Sequence, residues 1–291
     1  MQGGQLPRDP GAVPGESDPG APAPPLKPRV GAVPPSVASG CILGLRVDAT
    51  SYAESLEAIV GLAAAGAGGM VCHANVHMAM EAFDDAELRR RLNAAERVTP
   101  DGVPLVWALR RLGLRKVGRV YGPTLASLVC RRAEADGLPV GFYGGHPEVL
   151  DALVAKLTRR FPRLRIAFAF SPPFRPLTAE EDRGVTEAIE ASGARILFVG
   201  LGCPKQERWM AAHREVLPCA MVGVGAAFDF LAGCKRQAPP WMRDAGLEWL
   251  FRLAVEPRRL WRRYAVHNPR FAVGIALQLL RALTRFPPRG H

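Results

Sequence analysis

The first forty residues contain no aromatic side chain and no continuous apolar stretch, yet they hold ten of the chain's 27 prolines and seven of its 30 glycines. Such a segment cannot bury enough apolar surface to offset the entropy of ordering it, so residues 1–40 are expected to form a disordered tail. The tail also lacks the apolar centre of a secretory signal, which makes a cytoplasmic protein the expectation. Paired cysteines are missing too. Cys41, Cys72, Cys130, Cys203, Cys219 and Cys234 show no C-x-x-C spacing and no clustering with histidine, so they read as small reduced core residues and imply no metal site. No glycine-rich loop completes G-x-G-x-x-G, because Phe228 stands sixth from Gly223 and Lys205 sixth from Gly200. With no acidic ribose partner about twenty residues on, this counts against a NAD(P)-dependent Rossmann oxidoreductase.

Acidic residues run short toward the C-terminus. Over residues 235–291 twelve Lys or Arg face three acids, a net of +9 out of +11 for the whole chain. A basic block on a near-neutral body predicts a surface for polyanions: anionic lipid headgroups, nucleic acid or a diphosphate ligand. Trp241, Trp249, Phe251, Trp261 and Tyr264 are interleaved with the basic residues, the mixture expected at a membrane interface. A basic nucleic-acid-binding protein is the alternative reading of the same block. Leu247, Leu250, Phe251 and Val255 repeat as one helical face, and Pro257 is expected to start a second, short helix. The last apolar run, 271–280, is about half the length needed to span a bilayer, so it can lie on a membrane without crossing it. Residues 241–291 are therefore expected to be a basic, membrane-associating appendage, with monomer and homo-oligomer both open.

Between these ends, 48% hydrophobic and 22% charged residues suit an ordinary globular core. Short β-prone runs at 69–72, 97–99, 139–143, 164–168, 195–199 and 219–224 alternate with helical stretches at 81–93, 104–112, 147–161, 179–191 and 205–214. This βαβ rhythm predicts an α/β fold for residues 41–240, a Rossmann-like, largely parallel sheet flanked by helices. Ligands of such sheets lie beyond the C-terminal strand ends, so chemistry is expected in the loops there.

Three of those loops are glycine-rich and suited to close approach of a diphosphate: Gly144-Gly145, Gly200-Leu201-Gly202 and Gly223-Val224-Gly225. Glycine in such turns is as often purely steric. Thr99-Pro100-Asp101-Gly102 sets a carboxylate in a tight turn after a strand, which is also a common turn sequence. His73, Asn75 and His77 follow another strand end, where Asn75 can hydrogen-bond a sugar hydroxyl or orient a base. Lys205 and Gln206 open a helix after the second glycine loop, and Asp229 follows the third at a place from which it can reach a ribose or serve as a cap. Arg252, Arg258, Arg259, Arg262 and Arg263 supply guanidinium groups for phosphate oxygens, and 252, 259 and 262 share a side if the helix runs on smoothly.

In their order these motifs resemble the WecG/TagA/CpsF glycosyltransferases, glycosyltransferase family 26, over about residues 42–271. The resemblance rests on Asn75, Leu92-Asn93-Ala94-Ala95, Thr99-Pro100-Asp101-Gly102, Trp107, Gly144-Gly145, Phe198-Val199-Gly200-Leu201-Gly202, Pro204-Lys205-Gln206-Glu207 and Gly223-Val224-Gly225. It continues through Ala238-Pro239, Trp241-Met242, Leu247-Glu248-Trp249, Glu256-Pro257-Arg258-Arg259 and Asn268-Pro269-Arg270-Phe271. It implies an inverting, metal-independent enzyme without cofactor. Such an enzyme moves a hexose-type sugar from a UDP-sugar donor (N-acetylmannosamine, its uronic acid or glucose) to an undecaprenyl-diphosphate-linked saccharide at the inner membrane face. It further implies Asp101 as base, Asn75 and Gln206 in the active site, and Arg252, Arg259 and Arg262 closing over the diphosphate. His73 departs from the threonine that many members carry at that place.

Overall fold

The computed structural model describes residues 36–285. A six-stranded, wholly parallel sheet has the order β4-β3-β8-β7-β5-β6. The strands are β3 (Gly69–Ala74), β4 (Arg97–Pro100), β5 (Val140–Gly144), β6 (Ile166–Phe170), β7 (Ile196–Gly200) and β8 (Ala220–Gly223). Alternate residues feed two different cores. Met70, Cys72, Leu197, Val199 and Met221 join one apolar cluster, while Val71, Ile196, Phe198, Ala220 and Val222 join the other. Both faces of the sheet are thus covered, which is why its strands read as nearly continuous apolar runs.

A two-stranded antiparallel hairpin, β1 (Ser39–Ile42) and β2 (Leu45–Asp48), precedes the sheet and was not anticipated. Its first two residues fall in the stretch assigned above to the tail. Asp48 docks it by accepting a 2.8 Å bond from Val98 N on β4. Helices α1 (Tyr52–Ala65), α5 (Gly122–Asp136), α6 (Pro147–Arg160) and α9 (Ala227–Ala232) supply the second core. The first core is covered by α2 (Val76–Asp84), α3 (Ala86–Asn93), α4 (Val103–Arg111), α7 (Ala179–Ser192) and α8 (Lys205–His213). Helix α1 starts on a capping box in which Ser51 and Glu54 each bond the other's backbone N–H.

Three expectations need correction. The single helix at 81–93 is two helices that meet at Asp85, whose carboxylate caps α3 by accepting from Leu88 N at 2.9 Å. The strand expected at 164–168 lies two residues later, where its pairing with β5 shifts register. The C-terminal segment is not a short helix: after α10 (Pro240–Asp244) and α11 (Glu248–Val255), α12 runs 29 residues, Pro257–Arg285. Pro269 interrupts one backbone rung without ending it.

Helix α12 is not loosely appended. Phe271 and Ile275 are 5% and 4% exposed within the first core, and Gln278 bonds both Cys41 O and Leu43 N of the hairpin, at 2.6 and 2.9 Å. Arg270 clasps Asp84 of α2 through two bonds of 2.6 and 2.8 Å. Its other side carries exposed Trp261, Val266, Val273, Leu277 and Leu280. Among the described residues no helix is long and apolar enough to cross a membrane. All six cysteines are free, but Cys41 and Cys234 are exposed rather than in the core.

Candidate active site

Strand β3 leads outward to β4 on one side, whereas β8 is reached from β7 on the other. The crevice between the C-terminal ends of β3 and β8 is where such sheets hold ligands. A cavity of about 550 Å³ opens there, and α11, α12 and the turn before α11 roof it with residues from Gly246 to Ile275. Its size is that of a small-molecule site.

Asp101 sits on the cavity wall at the end of β4. Its backbone N–H, with that of Gly102, is tied to Ala74 O at the end of β3, at 2.9 and 3.2 Å. Those bonds fix the turn, so the carboxyl points inward from a rigid support. Burial is the dominant influence on it and raises its pKa to about 6; Glu248 pushes the same way, while Arg119 and Arg252 oppose them. The Arg119 guanidinium is 3.5 Å from Asp101 Oδ1 and 2.5 Å from Glu248 Oε2, and it also donates to Arg243 O at 3.0 Å. Its flat face covers the Tyr121 ring at 4.7 Å. Arg252 in turn pairs with Glu248 at 3.2 Å. A carboxylic acid poised near neutrality within a charged cluster is the property expected of a proton-transfer group.

Asn75 caps α2, its side-chain oxygen accepting from Met78 N at 3.1 Å, which leaves the amide N–H groups for a ligand. His73 lines the cavity with its Nδ1 bonded to Thr99 Oγ1 at 2.6 Å. Burial lowers its pKa to about 4, so the imidazole is neutral at pH 7. Gln206 also faces the cavity, but both ends of its amide are engaged: Oε1 accepts from Gly202 N at 3.2 Å and Nε2 donates to Glu207 Oε1 at 2.7 Å. Glu207, wholly buried beside it, is raised by burial to about 7. Burial likewise holds the Cys203 thiol well above its usual range, so it is no ready nucleophile.

The glycines divide. Gly202 and Gly225 line the cavity; Gly144, Gly145 and Gly200 do not. A Cβ on Gly144 would stand 2.6 Å from Gly200 C, and one on Gly200 would stand 2.6 Å from the Phe228 ring. These glycines therefore let the ends of β5 and β7 meet over Phe228 rather than cradle a ligand. Lys205 is exposed and Asp229 pairs with Lys235 at 3.5 Å, both off the cavity.

The arginines divide as well. Arg252 and Arg259 line the cavity, but Arg262 does not: it is exposed, its guanidinium over Trp261. The helix breaks between Val255 and Pro257, and α12 faces inward at 259, 263, 267, 271 and 275, a four-residue repeat that passes 262 by. Arg263 takes the inward place.

Arg119, Tyr121, Glu248 and His267 also line the site and were not singled out as ligands from sequence. No local spacing assigns them a ligand role, although Glu248 falls within the Leu247-Glu248-Trp249 motif, since each reaches the cavity through packing of distant segments. Among the described residues, one three-residue group with metal-ligand chemistry, His77, Glu81 and His267, stands at the cavity edge. The model for the family described as Glycosyl transferase WecG/TagA/CpsF matches residues 41–285, more than four-fifths of the chain.

Proposed function

From the premise that the chain belongs to the WecG/TagA/CpsF family of glycosyltransferases, we propose that it moves a hexose-type sugar from a UDP-sugar to a lipid-diphosphate-linked saccharide. Donor and acceptor meet in the cavity at the ends of β3, β4 and β8, with inversion at the anomeric carbon. Asp101, at about 6 in the free protein, is largely ionised at neutral pH and accepts the proton of the acceptor hydroxyl as its oxygen attacks. Arg119 steadies that carboxylate from 3.5 Å. The departing nucleotide diphosphate gathers charge, which Arg252, Arg259 and Arg263 in the roof can offset without a metal.

The single observation that carries this reading is a mostly buried carboxyl with a raised pKa on the wall of a cavity whose roof is arginine-rich. Association with the inner face of the membrane is part of the proposal. It is supported by the exposed Trp241, Trp249 and Trp261, at 63%, 40% and 52%, beside the basic residues of α10–α12. Such a surface would bring the roof to where a lipid-linked acceptor resides.

The test is release of UDP from a panel of UDP-sugars with a short-chain lipid-diphosphate acceptor. Turnover is expected with at least one donor, and Asp101→Asn should reduce it on the order of a hundredfold or more while preserving the fold. Undiminished turnover in that variant refutes the assignment of the base.

A further inference from the structure

Helix α2 carries His77 and Glu81 one turn apart, and α12 sets His267 against them. The two imidazole rings are 5.1 Å apart between centres, inclined at 58°. His77 Nδ1 is 3.5 Å from Glu81 Oε1, and His267 Nε2 is 3.7 Å from the same oxygen. One donor atom from each residue can be chosen so that all three lie within 4.8 Å of one another. A tetrahedral ion with bonds of about 2.0–2.1 Å to nitrogen and oxygen needs donors roughly 3.3 Å apart. The two edges that include the carboxylate are within about half an ångström of that value, and the edge between the imidazoles, at most 4.8 Å, must close by side-chain rotation when an ion binds.

We propose that His77, Glu81 and His267 form a binding site for a divalent transition ion of the Zn²⁺ class, which clamps α12 to α2 at the edge of the cavity. Two imidazoles and a carboxylate favour Zn²⁺ and its first-row neighbours over Mg²⁺ or Ca²⁺, which take oxygen donors almost exclusively. His77 Nδ1 and His267 Nδ1 are buried without a hydrogen-bond partner, so ligation can satisfy at least one ring nitrogen that the protein leaves bare. Burial, first, and Arg263 also hold both imidazoles below their ordinary range, His77 at about 4, so the rings are in the neutral, ligating form at pH 7.

The charges around the site set its strength. Glu81 contributes one negative charge among the ligands, and Asp84 lies near His267; Arg263 faces both rings and Arg270 faces His267, opposing a dication. The balance points to an affinity weaker than that of a closed four-ligand structural site. Three protein donors leave a fourth position, and His77 and His267 both line the cavity, so that position opens toward it. The ion would hold in place the helix that carries Arg259 and Arg263 over the site. The three donors are the same whichever reaction the cavity performs.

The full-length protein with Cys41 and Cys234 changed to serine, so that exposed thiols do not compete, is stripped with chelator and titrated calorimetrically with ZnCl₂. About one Zn²⁺ per chain is expected, and Co²⁺ should give visible d–d absorption. At zinc a hundredfold above Kd, the thermal midpoint should rise by roughly 5 °C. His267→Gln and Glu81→Gln, checked as folded by near-ultraviolet circular dichroism, should each weaken binding at least tenfold and abolish the rise. MgCl₂ should have no such effect. Absence of stoichiometric zinc binding and cobalt absorption in the parent protein overturns the proposal whether or not the variants fold. So does affinity unchanged within twofold in a folded variant.

Discussion

Replacing Arg119 by glutamine should move the acid limb of the pH–activity profile upward. The guanidinium stands 3.5 Å from Asp101 Oδ1, with the two side chains 21% and 19% exposed, and it is the largest influence that lowers the Asp101 pKa. A neighbouring cation lowers a carboxyl pKa by about 1–3 units, and the lower part of that range applies because Glu248 shares the charge at 2.5 Å. Loss of Arg119 should therefore carry Asp101 from about 6 to roughly 7–8. At pH 7 the ionised fraction then falls from about nine-tenths to between about one-half and one-tenth, a two- to tenfold loss from protonation alone. Activity should recover toward pH 9. Glu248→Gln should do the reverse and move the limb down, because that carboxylate raises Asp101. The assay is kcat/KM from pH 5 to pH 9 in wild type and both variants. General damage to the fold would lower activity at every pH without moving the midpoint. An unshifted limb in Arg119→Gln, or one shifted to lower pH, refutes the assignment of Asp101 as the titrating base.

Gly200→Ala places a Cβ 2.6 Å from the Phe228 ring and should cost about 1–3 kcal/mol in urea denaturation. Phe228→Leu in the same chain should recover part of that loss, and strictly additive effects would show that the two do not clash. His73 is held neutral in the fold, its pKa lowered to about 4 by burial, so its contribution to stability is complete above pH 6.5 and is lost as pH falls from 6.5 toward 4. His73→Asn should remove up to about 2 kcal/mol of that acid sensitivity, measured as the difference in unfolding free energy between pH 7 and pH 4.5; an unchanged difference contradicts it. Ending the chain at residue 256 removes buried Leu260, Phe271 and Ile275, each worth about 2 kcal/mol of apolar burial. The truncated protein should have a markedly lower urea midpoint, and an equal midpoint would mean that α12 contributes nothing to the core.

Legibility followed the range of the interactions concerned. The strands that became β3, β4, β5, β7 and β8 were visible because a sheet covered on both faces writes itself as short apolar runs between breakers. The β1–β2 hairpin was missed because its pairing and its docking through Asp48 are set by partners rather than by its own pattern. Asp85 between α2 and α3 shows the limit at the next scale: an acid inside a periodic stretch is equally a surface residue and a cap, and only the bond from Leu88 N decides.

The sequence by itself determined the parallel α/β core, the turn that carries Asp101, the family and the concentration of arginine and tryptophan near the C-terminus. All of these depend on residue type and short spacing. Only the tertiary structure decided that Gly144, Gly145 and Gly200 join strands rather than line the cavity, that Arg263 faces inward where Arg262 does not, and that Arg119 and Glu248 bracket Asp101. It alone brought His267 beside His77 and Glu81. The reason is physical: a pKa, a cavity wall and a ligand set depend on distances between groups far apart in the chain, and those distances exist only once α11 and α12 have packed across the site, α2 and the hairpin.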